Sequence, residues 1–273
     1  MKKVILLLAS ALMLWNCVES GLDPEVPNLG PSQMARDYVD EYGINHGKGV
    51  EIDGVVWAPV NCGYHKTDYK YGKLYQWGRK YGQGYSGNFN DGYVKGEYSD
   101  VTTPVISEGP VSLEFGQSVS NENVFIYCGT TGDWLSPQDD TLWNSGTEDS
   151  PVKTEYDPCP EGWRVPTYAE LSELRQTSVR KTTKDSDQSG YWFSGAASYE
   201  EDVPQLFLPA SGFRNIYYGD ASHRGGSGLY WSSSQYYGSQ YYHRSYGLSF
   251  SSAGAGFYSK DRAFGASVRC VQE

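Results

Sequence analysis

Residues 157–167 have the sequence DPCPEGWRVPT and lead into the most convincing helix of the chain. Thr167 stands where that helix should begin, and Glu170 follows three residues later, which is the spacing of a capping box. Leu171 and Leu174 then fall on one face of the predicted helix. We therefore expect a helix that begins at residues 166–167 and buries this leucine face.

Short strands with turn residues between them make up much of the remaining pattern. Asp53 and Gly54 separate two β-branched runs, which is typical of a tight hairpin. Apolar runs predict further strands at residues 74–77, 124–127, 206–208, 229–231, 247–250 and 267–270. Residues 80–100 are rich in Gly, Tyr and Asn, which indicates a long loop. The pattern predicts an α+β domain with many short strands, one or two helices and long loops.

The first residues resemble an export signal. A basic start is followed by an apolar run over residues 4–15, too short to span a bilayer, so residues 1–16 are predicted to be a signal peptide. Cys17 follows directly, in a context that resembles a bacterial lipobox and predicts lipidation. An ordinary signal peptide with an incidental cysteine is the alternative. Residues 17–48 are predicted to be a tether, which makes the chain a cell-surface lipoprotein of the outer membrane.

Charge and cysteine content narrow the function classes. The formal net charge of −11 argues against nucleic-acid binding, and we expect membrane contact only through the lipid anchor. Cys62, Cys128, Cys159 and Cys270 remain after Cys17, and an even number in an exported chain predicts two disulfides with three pairings open. Because no Cys-x-x-Cys occurs, we expect neither a metal site nor a cofactor.

Four segments in order carry a family resemblance: residues 157–167, LPASGFR at 208–214, GLYWSSS at 228–234 and GASVRCV at 265–271. Together they resemble the Fibrobacter succinogenes major paralogous domain, found in Bacteroidetes surface lipoproteins. That family is similar to C-type lectin-like and formylglycine-generating-enzyme folds. The resemblance implies a C-type lectin-like domain over residues 49–273, with core tryptophans at Trp163 and Trp231.

The same resemblance implies a disulfide pattern. C-type lectin-like domains commonly have a bridge between the segment before the helix and the last strand, which here means Cys159–Cys270. This pairing leaves Cys62–Cys128 as the second predicted bond.

The C-terminal segment, residues 211–270, has an unusual composition. Between residues 211 and 262 there are 12 Ser, 9 Tyr and 9 Gly, the residue types of antibody-like binding loops. We predict loops at 215–224, 236–246 and 253–262 that contact a protein or glycan ligand on another cell or phage, as an adhesin would. The predicted contact residues are Asn215, Tyr217, Tyr218, Asp220, His223, Arg224, Tyr236, Tyr237, Tyr241, Tyr242, His243, Arg244, Tyr246, Phe257, Tyr258 and Asp261. Tyrosines that fill grooves between loops are the alternative.

Domains of the resembled kind are targets of diversity-generating retroelements, which alter adenines in a C-terminal cassette. Most residues between Trp231 and Ser267 fit the codons that such a process produces, whereas Gln235, Gln240 and Lys260 do not. Ordinary drift in Tyr- and Ser-rich loops explains the same composition.

Catalytic patterns are missing from the sequence. None of the four histidines lies in a Gly-x-Ser-x-Gly or His-Glu-x-x-His context, and the paired acidic residues are adjacent in predicted loops. We therefore expect no enzymatic activity. The alternatives are a pilus-tip or envelope subunit processed after Arg36, a degenerate enzyme of the formylglycine-generating type, and a calcium ion at Asp139 and Asp140.

Overall fold

The computed structural model describes residues 35–66, 70–83, 106–119, 124–176, 189–194, 204–217, 219, 221–238 and 240–273. The predicted signal peptide, Cys17 and the first half of the predicted tether lie outside these ranges, as do Tyr218, Asp220 and most of the predicted loop at 80–100. No helix in the described ranges has both the length and the apolar character needed to cross a membrane.

Short strands dominate the described chain. The strands are β1 Asp37–Val39, β2 Asn45–Lys48, β3 Val50–Ile52, β4 Val55–Trp57, β5 Tyr75–Gln76, β6 Ile106–Glu108, β7 Phe125–Tyr127, β8 Trp163–Arg164, β9 Gly190–Ser194, β10 Gln205–Pro209, β11 Phe213–Arg214, β12 Ala221–Ser222, β13 Ser227–Gln235, β14 Arg244–Ser251, β15 Gly254–Asp261, β16 Gly265–Ala266 and β17 Val271–Gln272. The described helices are α1 Leu113–Ser118 and α2 Tyr168–Gln176.

The predicted α+β class is therefore wrong. Strands make up 39% of the structure and helices 8%, so the fold is β-rich, with the strands distributed among several small sheets. Apolar and β-branched runs are the sequence signal that predicts a strand, and such runs cover only part of the longest strands of this fold. The longest strands are built largely from Ser, Gly and Tyr, which have little apolar signal and are held by their ladder partners.

The longest sheet has the order β13-β14-β15 and is antiparallel throughout. Residues 253–262, predicted to be a loop, are mostly β15, with Leu248 opposite Phe257 in the register. The strand predicted at residues 267–270 is also wrong. That segment joins β16 to β17, and only Ser267 forms an isolated bridge, to Tyr230.

A second sheet of order β3-β4-β17-β8 joins the two ends of the domain. Its first hairpin confirms the turn predicted at Asp53 and Gly54, where both residues have positive φ, 48° and 82°, as a tight hairpin turn requires. The hairpin β1–β2 lies within the region predicted to be tether, so the ordered domain begins earlier than residue 49.

The two core clusters explain the sequence of residues 157–167 and of the helix that follows them. Trp163 and Trp231 are buried in one cluster with both sulfurs of the Cys159–Cys270 bond, as predicted. Helix α2 buries Leu171 and Leu174 in the other cluster, against the β13–β15 sheet.

The capping box at the start of α2 is also confirmed. The Thr167 amide donates to Glu170 Oε2 at 2.8 Å, and the Glu170 amide donates to Thr167 Oγ1 at 3.3 Å.

The second predicted disulfide is not formed. Cys62 and Cys128 are both free and buried. The sulfur of Cys62 lies within 4.8 Å of the Cys159 and Cys270 sulfurs instead, while Cys128 is hydrogen-bonded to Thr131 Oγ1 at 2.8 Å. The even cysteine count suggested a second pair, but the fold places Cys62 beside a bond that already exists.

Candidate ligand-binding face

The connection between β13 and β14 carries three exposed tyrosine side chains. Tyr237, Tyr241 and Tyr242 are 71%, 44% and 66% exposed. The Tyr241 amide donates to the Gly238 carbonyl at 2.9 Å, and the Arg244 amide donates to the Tyr241 carbonyl at 3.0 Å. These turns fix the backbone while the rings face outward. The loop therefore presents apolar area on an ordered support.

Three charged or ionisable side chains are held together at the base of this loop. Asp261 Oδ1 accepts a hydrogen bond from Arg244 Nε at 2.7 Å and lies 3.2 Å from His243 Nε2. The guanidinium carbon of Arg244 is 4.5 Å from the ring centre of Tyr241, a cation–π contact. Arg244 and Asp261 are opposite each other in the β14–β15 register, so the sheet itself sets this geometry.

The turn at residues 129–132, which the sequence did not predict, contacts both this loop and the predicted loop at residues 215–224. A Cβ at Gly129 would lie 2.8 Å from Cδ1 of Tyr217, and a Cβ at Gly132 would lie 2.6 Å from Cδ2 of His243. The two glycines thus allow both side chains to rest on the turn backbone. Thr130 and Thr131 are exposed between them. The Gly-Thr-Thr-Gly spacing was the only available sequence signal for this contact.

We call this surface the loop face. Its members are residues 129–132, Tyr217, Tyr237, Tyr241, Tyr242, His243, Arg244 and Asp261. It contains seven of the sixteen residues predicted to contact a ligand.

Arg262 supports the loop face from below. Its Nη2 is 2.6 Å from Asp140 Oδ1, its Nε donates to Ser245 Oγ at 3.0 Å, and its guanidinium carbon is 4.3 Å from the centre of a Trp77 ring. Its backbone amide donates to the His243 carbonyl at 3.0 Å. Because Arg262 is 1% exposed, it links the loop to the core rather than to solvent.

The acidic residues around Arg262 are already engaged. Gln138 Nε2 donates to Asp140 Oδ1 at 2.6 Å and to the Tyr242 carbonyl at 2.7 Å, and Asp139 Oδ1 accepts the Thr141 amide at 2.8 Å. The guanidinium of Arg262 therefore contacts the carboxylate of Asp140, one of the two side chains of the calcium site considered as an alternative. Burial raises the pKa of Asp133 to about 6, although the charge of Arg262 acts in the opposite direction.

A second group of the predicted contact residues packs against the rest of the domain and is not available to a ligand in the same way. The Tyr246 ring stacks on Tyr168 with 4.2 Å between centres, and Tyr236 meets Tyr246 edge-on at 5.1 Å. Phe257 packs edge-on against Tyr168 at 5.0 Å. These half-buried rings fill the space between α2 and the sheet, which is the groove-filling alternative stated above.

The other predicted residues that the structure describes belong to neither group. Asn215 Oδ1 accepts the Tyr217 amide at 2.7 Å and shapes that turn, while His223 stacks on Phe213 at 5.0 Å. The guanidinium carbon of Arg224 lies 5.7 Å from the Tyr71 ring centre. Tyr258 is 55% exposed and, next to Phe257 on β15, points to the opposite side of the sheet. The fourteen of these residues that the structure describes therefore do not form one continuous site.

Comparison with known proteins gives limited further information. A family described as a domain of unknown function (DUF8237) matches residues 170–271, which begin in α2 and include all three strands of the longest sheet. No curated protein and no solved structure matches the chain.

Proposed function

We propose that this chain is an exported surface lipoprotein that binds a protein or glycan ligand through the loop face. The observation that carries the proposal is the contrast at the β13–β14 connection. Tyr237, Tyr241 and Tyr242 project into solvent, while the buried Arg262 and the half-buried Gln138 hydrogen-bond the backbone of their loop at His243 and Tyr242. Tyrosine provides large contact area with few rotatable bonds, so exposed rings on an ordered loop lose little entropy on binding.

The chemistry of the loop face suits recognition. Aromatic rings, one guanidinium and the exposed Thr130 lie on one surface, with Asp261 compensating the positive charge of Arg244. Asp261 Oδ1 lies beside His243 Nε2 and also accepts a hydrogen bond from Arg244. The carboxylate therefore has a structural partner on each side. This arrangement supports binding without turnover.

The test is a triple variant, Tyr237→Ser, Tyr241→Ser and Tyr242→Ser, with Tyr42→Ser as matched control. Tyr42 is 68% exposed but belongs to the β1–β2 connection and is not a member of the loop face. Ligands are first found by screening the wild-type full chain on a glycan array and against panels of purified surface proteins. We expect the triple variant to lose at least about 100-fold in affinity, since each buried tyrosine anchor contributes roughly 1–2 kcal/mol.

Two results would contradict the proposal. Binding that survives in the triple variant would show that the ligand uses another surface. A large fall in melting temperature would show that these rings support the fold. The control should change neither quantity measurably.

Lipidation and diversification are further parts of this proposal. Metabolic labelling with a palmitate analogue should mark the wild-type chain and not a Cys17→Ser variant. A nearby reverse-transcriptase gene with a near-copy of the coding segment for residues 231–270, differing at adenines, would support diversification; an isolated gene would argue for ordinary drift.

The structure does not favour processing after Arg36. Its amide donates to Gln272 Oε1 at 2.8 Å, and its carbonyl accepts the Gly49 amide at 3.0 Å. A protease would have to displace both contacts before the peptide bond could enter its active site.

A further inference from the structure

Three sulfur atoms meet in the core that encloses the disulfide. The Sγ atoms of Cys62, Cys159 and Cys270 all lie within 4.8 Å of one another, and all three residues are buried. The Cys62 thiol donates to the Pro158 carbonyl at 3.3 Å, which places it alongside the residue next to Cys159. A free thiol is therefore held against a disulfide inside a folded domain.

Two tyrosine hydroxyls complete this cluster. Tyr75 donates to the Cys62 sulfur at 3.2 Å, and the Tyr38 hydroxyl lies 3.7 Å from the Cys270 sulfur. The Tyr38 hydroxyl also faces the Cys62 sulfur. Tyr38 belongs to β1 and packs edge-on against Trp163 at 5.2 Å, so its position is fixed by the core. A hydroxyl thus lies between the free thiol and one sulfur of the bond.

We propose that Cys62, Cys159 and Cys270 form an internal thiol–disulfide exchange centre. The Cys62 thiolate attacks the Cys159 sulfur, a Cys62–Cys159 bond forms, and the bond between Cys159 and Cys270 breaks. Cys270 leaves as a thiolate and takes up the proton that Cys62 gave up, by way of the Tyr38 hydroxyl. The number of disulfides and thiols stays constant, so the step needs neither oxidant nor reductant.

The environment of Cys62 sets the rate of exchange. Burial raises the pKa of the Cys62 thiol to about 11; the charges of Glu41 and Asp157 act in the same direction, and the hydroxyls of Tyr75 and Tyr38 oppose them. Lys153 also faces this group. At pH 7 the thiol form therefore predominates, and the thiolate fraction rises as the pH approaches 11. Exchange is therefore slow near neutrality.

The exchange would change how the chain is cross-linked. The existing bond joins the segment before α2 to the residue before β17, across 111 positions of sequence. A Cys62–Cys159 bond would leave the end of the chain without a covalent cross-link, held by its strand pairing and by hydrogen bonds such as the one between Arg36 and Gln272.

The first test uses the full chain with Cys17→Ser and Cys128→Ser, so that Cys62 is the remaining free thiol. The protein is incubated at pH 7 and at pH 10.5 and quenched in acid. It is then denatured and labelled with N-ethylmaleimide near pH 6, and the labelled peptides are identified by mass spectrometry. We expect label on Cys62 alone at pH 7, and on both Cys62 and Cys270 after incubation at pH 10.5.

The matched control adds Cys62→Ser to the same background and should show no label at either pH. Label that remains entirely on Cys62 after hours at pH 10.5, in protein whose circular dichroism is unchanged, would overturn the proposal. Disulfide-linked dimers on non-reducing gels would show exchange between molecules and would also overturn it.

The second test traps the product. A chain with Cys17→Ser, Cys128→Ser and Cys270→Ser is refolded with oxidised glutathione as the electron acceptor. We expect an intramolecular Cys62–Cys159 bond in peptide maps. A folded variant with both thiols free would contradict the proposal, and if this variant does not fold, the alkaline exchange experiment decides.

Discussion

Lys153 is predicted to stabilise residues 157–167, and a Lys153→Met variant tests this. Its amine donates to the Pro160 carbonyl at 2.8 Å and also to the carbonyls of Cys159 and Trp163, while Asp157 Oδ1 lies 3.7 Å away. The side chain is 20% exposed, so most of these bonds are shielded from water. Methionine keeps the packing of the stem but removes all donors.

The expected loss follows from these contacts. A hydrogen bond to a charged group contributes about 1.5–3 kcal/mol, but the partial exposure lets water replace some of the lost donors. We therefore expect a loss of about 3–5 kcal/mol in the free energy of unfolding. For a domain of this size, that corresponds to a fall in melting temperature of roughly 10–15 °C.

The measurement is thermal and urea unfolding followed by circular dichroism, with Lys48→Met as the control. Lys48 is exposed at the end of β2, and its replacement should change stability by less than about 0.5 kcal/mol. A Lys153→Met variant that melts within about 3 °C of wild type would refute the reasoning, because it would show that water satisfies the three carbonyls.

Further variants test the loop face and its support. Because burial raises the pKa of Asp133 from 3.8 to about 6, its contribution to stability is present below about pH 4 and lost as pH rises through 6. Asp133→Asn should therefore gain about 2 kcal/mol over wild type between pH 4.5 and 7.5 in urea titrations; a constant difference would contradict this. Gly132 has φ +75°, and its Cβ would meet His243, so Gly132→Ala should lower stability by about 1–2 kcal/mol and weaken ligand binding. Gly256→Ala, where the nearest atom is 3.6 Å away, is its control and should change neither. Tyr246→Ser should lower the melting temperature by several degrees while Tyr242→Ser does not, since Tyr246 is stacked on Tyr168 and Tyr242 is 66% exposed. Equal shifts of the two variants in calorimetry would contradict this difference.

Local rules predicted the features that depend on neighbouring residues. The capping box at Thr167 and Glu170 and the hairpin at Asp53 and Gly54 each need only a few adjacent positions, and both are confirmed. The Cys159–Cys270 bond was expected from the resemblance, which supplied the long-range information that spacing alone lacks.

Features that depend on tertiary contacts were missed. Strand β15 was assigned to a loop because Gly254, Ala255 and Gly256 give no apolar alternation, although β14 holds the strand in register. The glycine turn at residues 129–132 lies far in sequence from His243, so nothing local could pair them. Which tyrosines are exposed was equally hidden, since Tyr242 and Tyr246 are the same residue type four positions apart.

The contact between Arg36 and Gln272 means that the described chain enters and leaves the domain at nearly the same point. Gln272 pairs with Trp163 in the β8–β17 ladder, and the Glu273 amide donates to the Gly162 carbonyl at 3.0 Å. A unit with adjoining ends can be placed inside a surface loop of another protein without stretching its host. Residues 35–273 are thus a candidate for insertion into another protein through short flexible linkers. The connection between β13 and β14 would remain free to be varied.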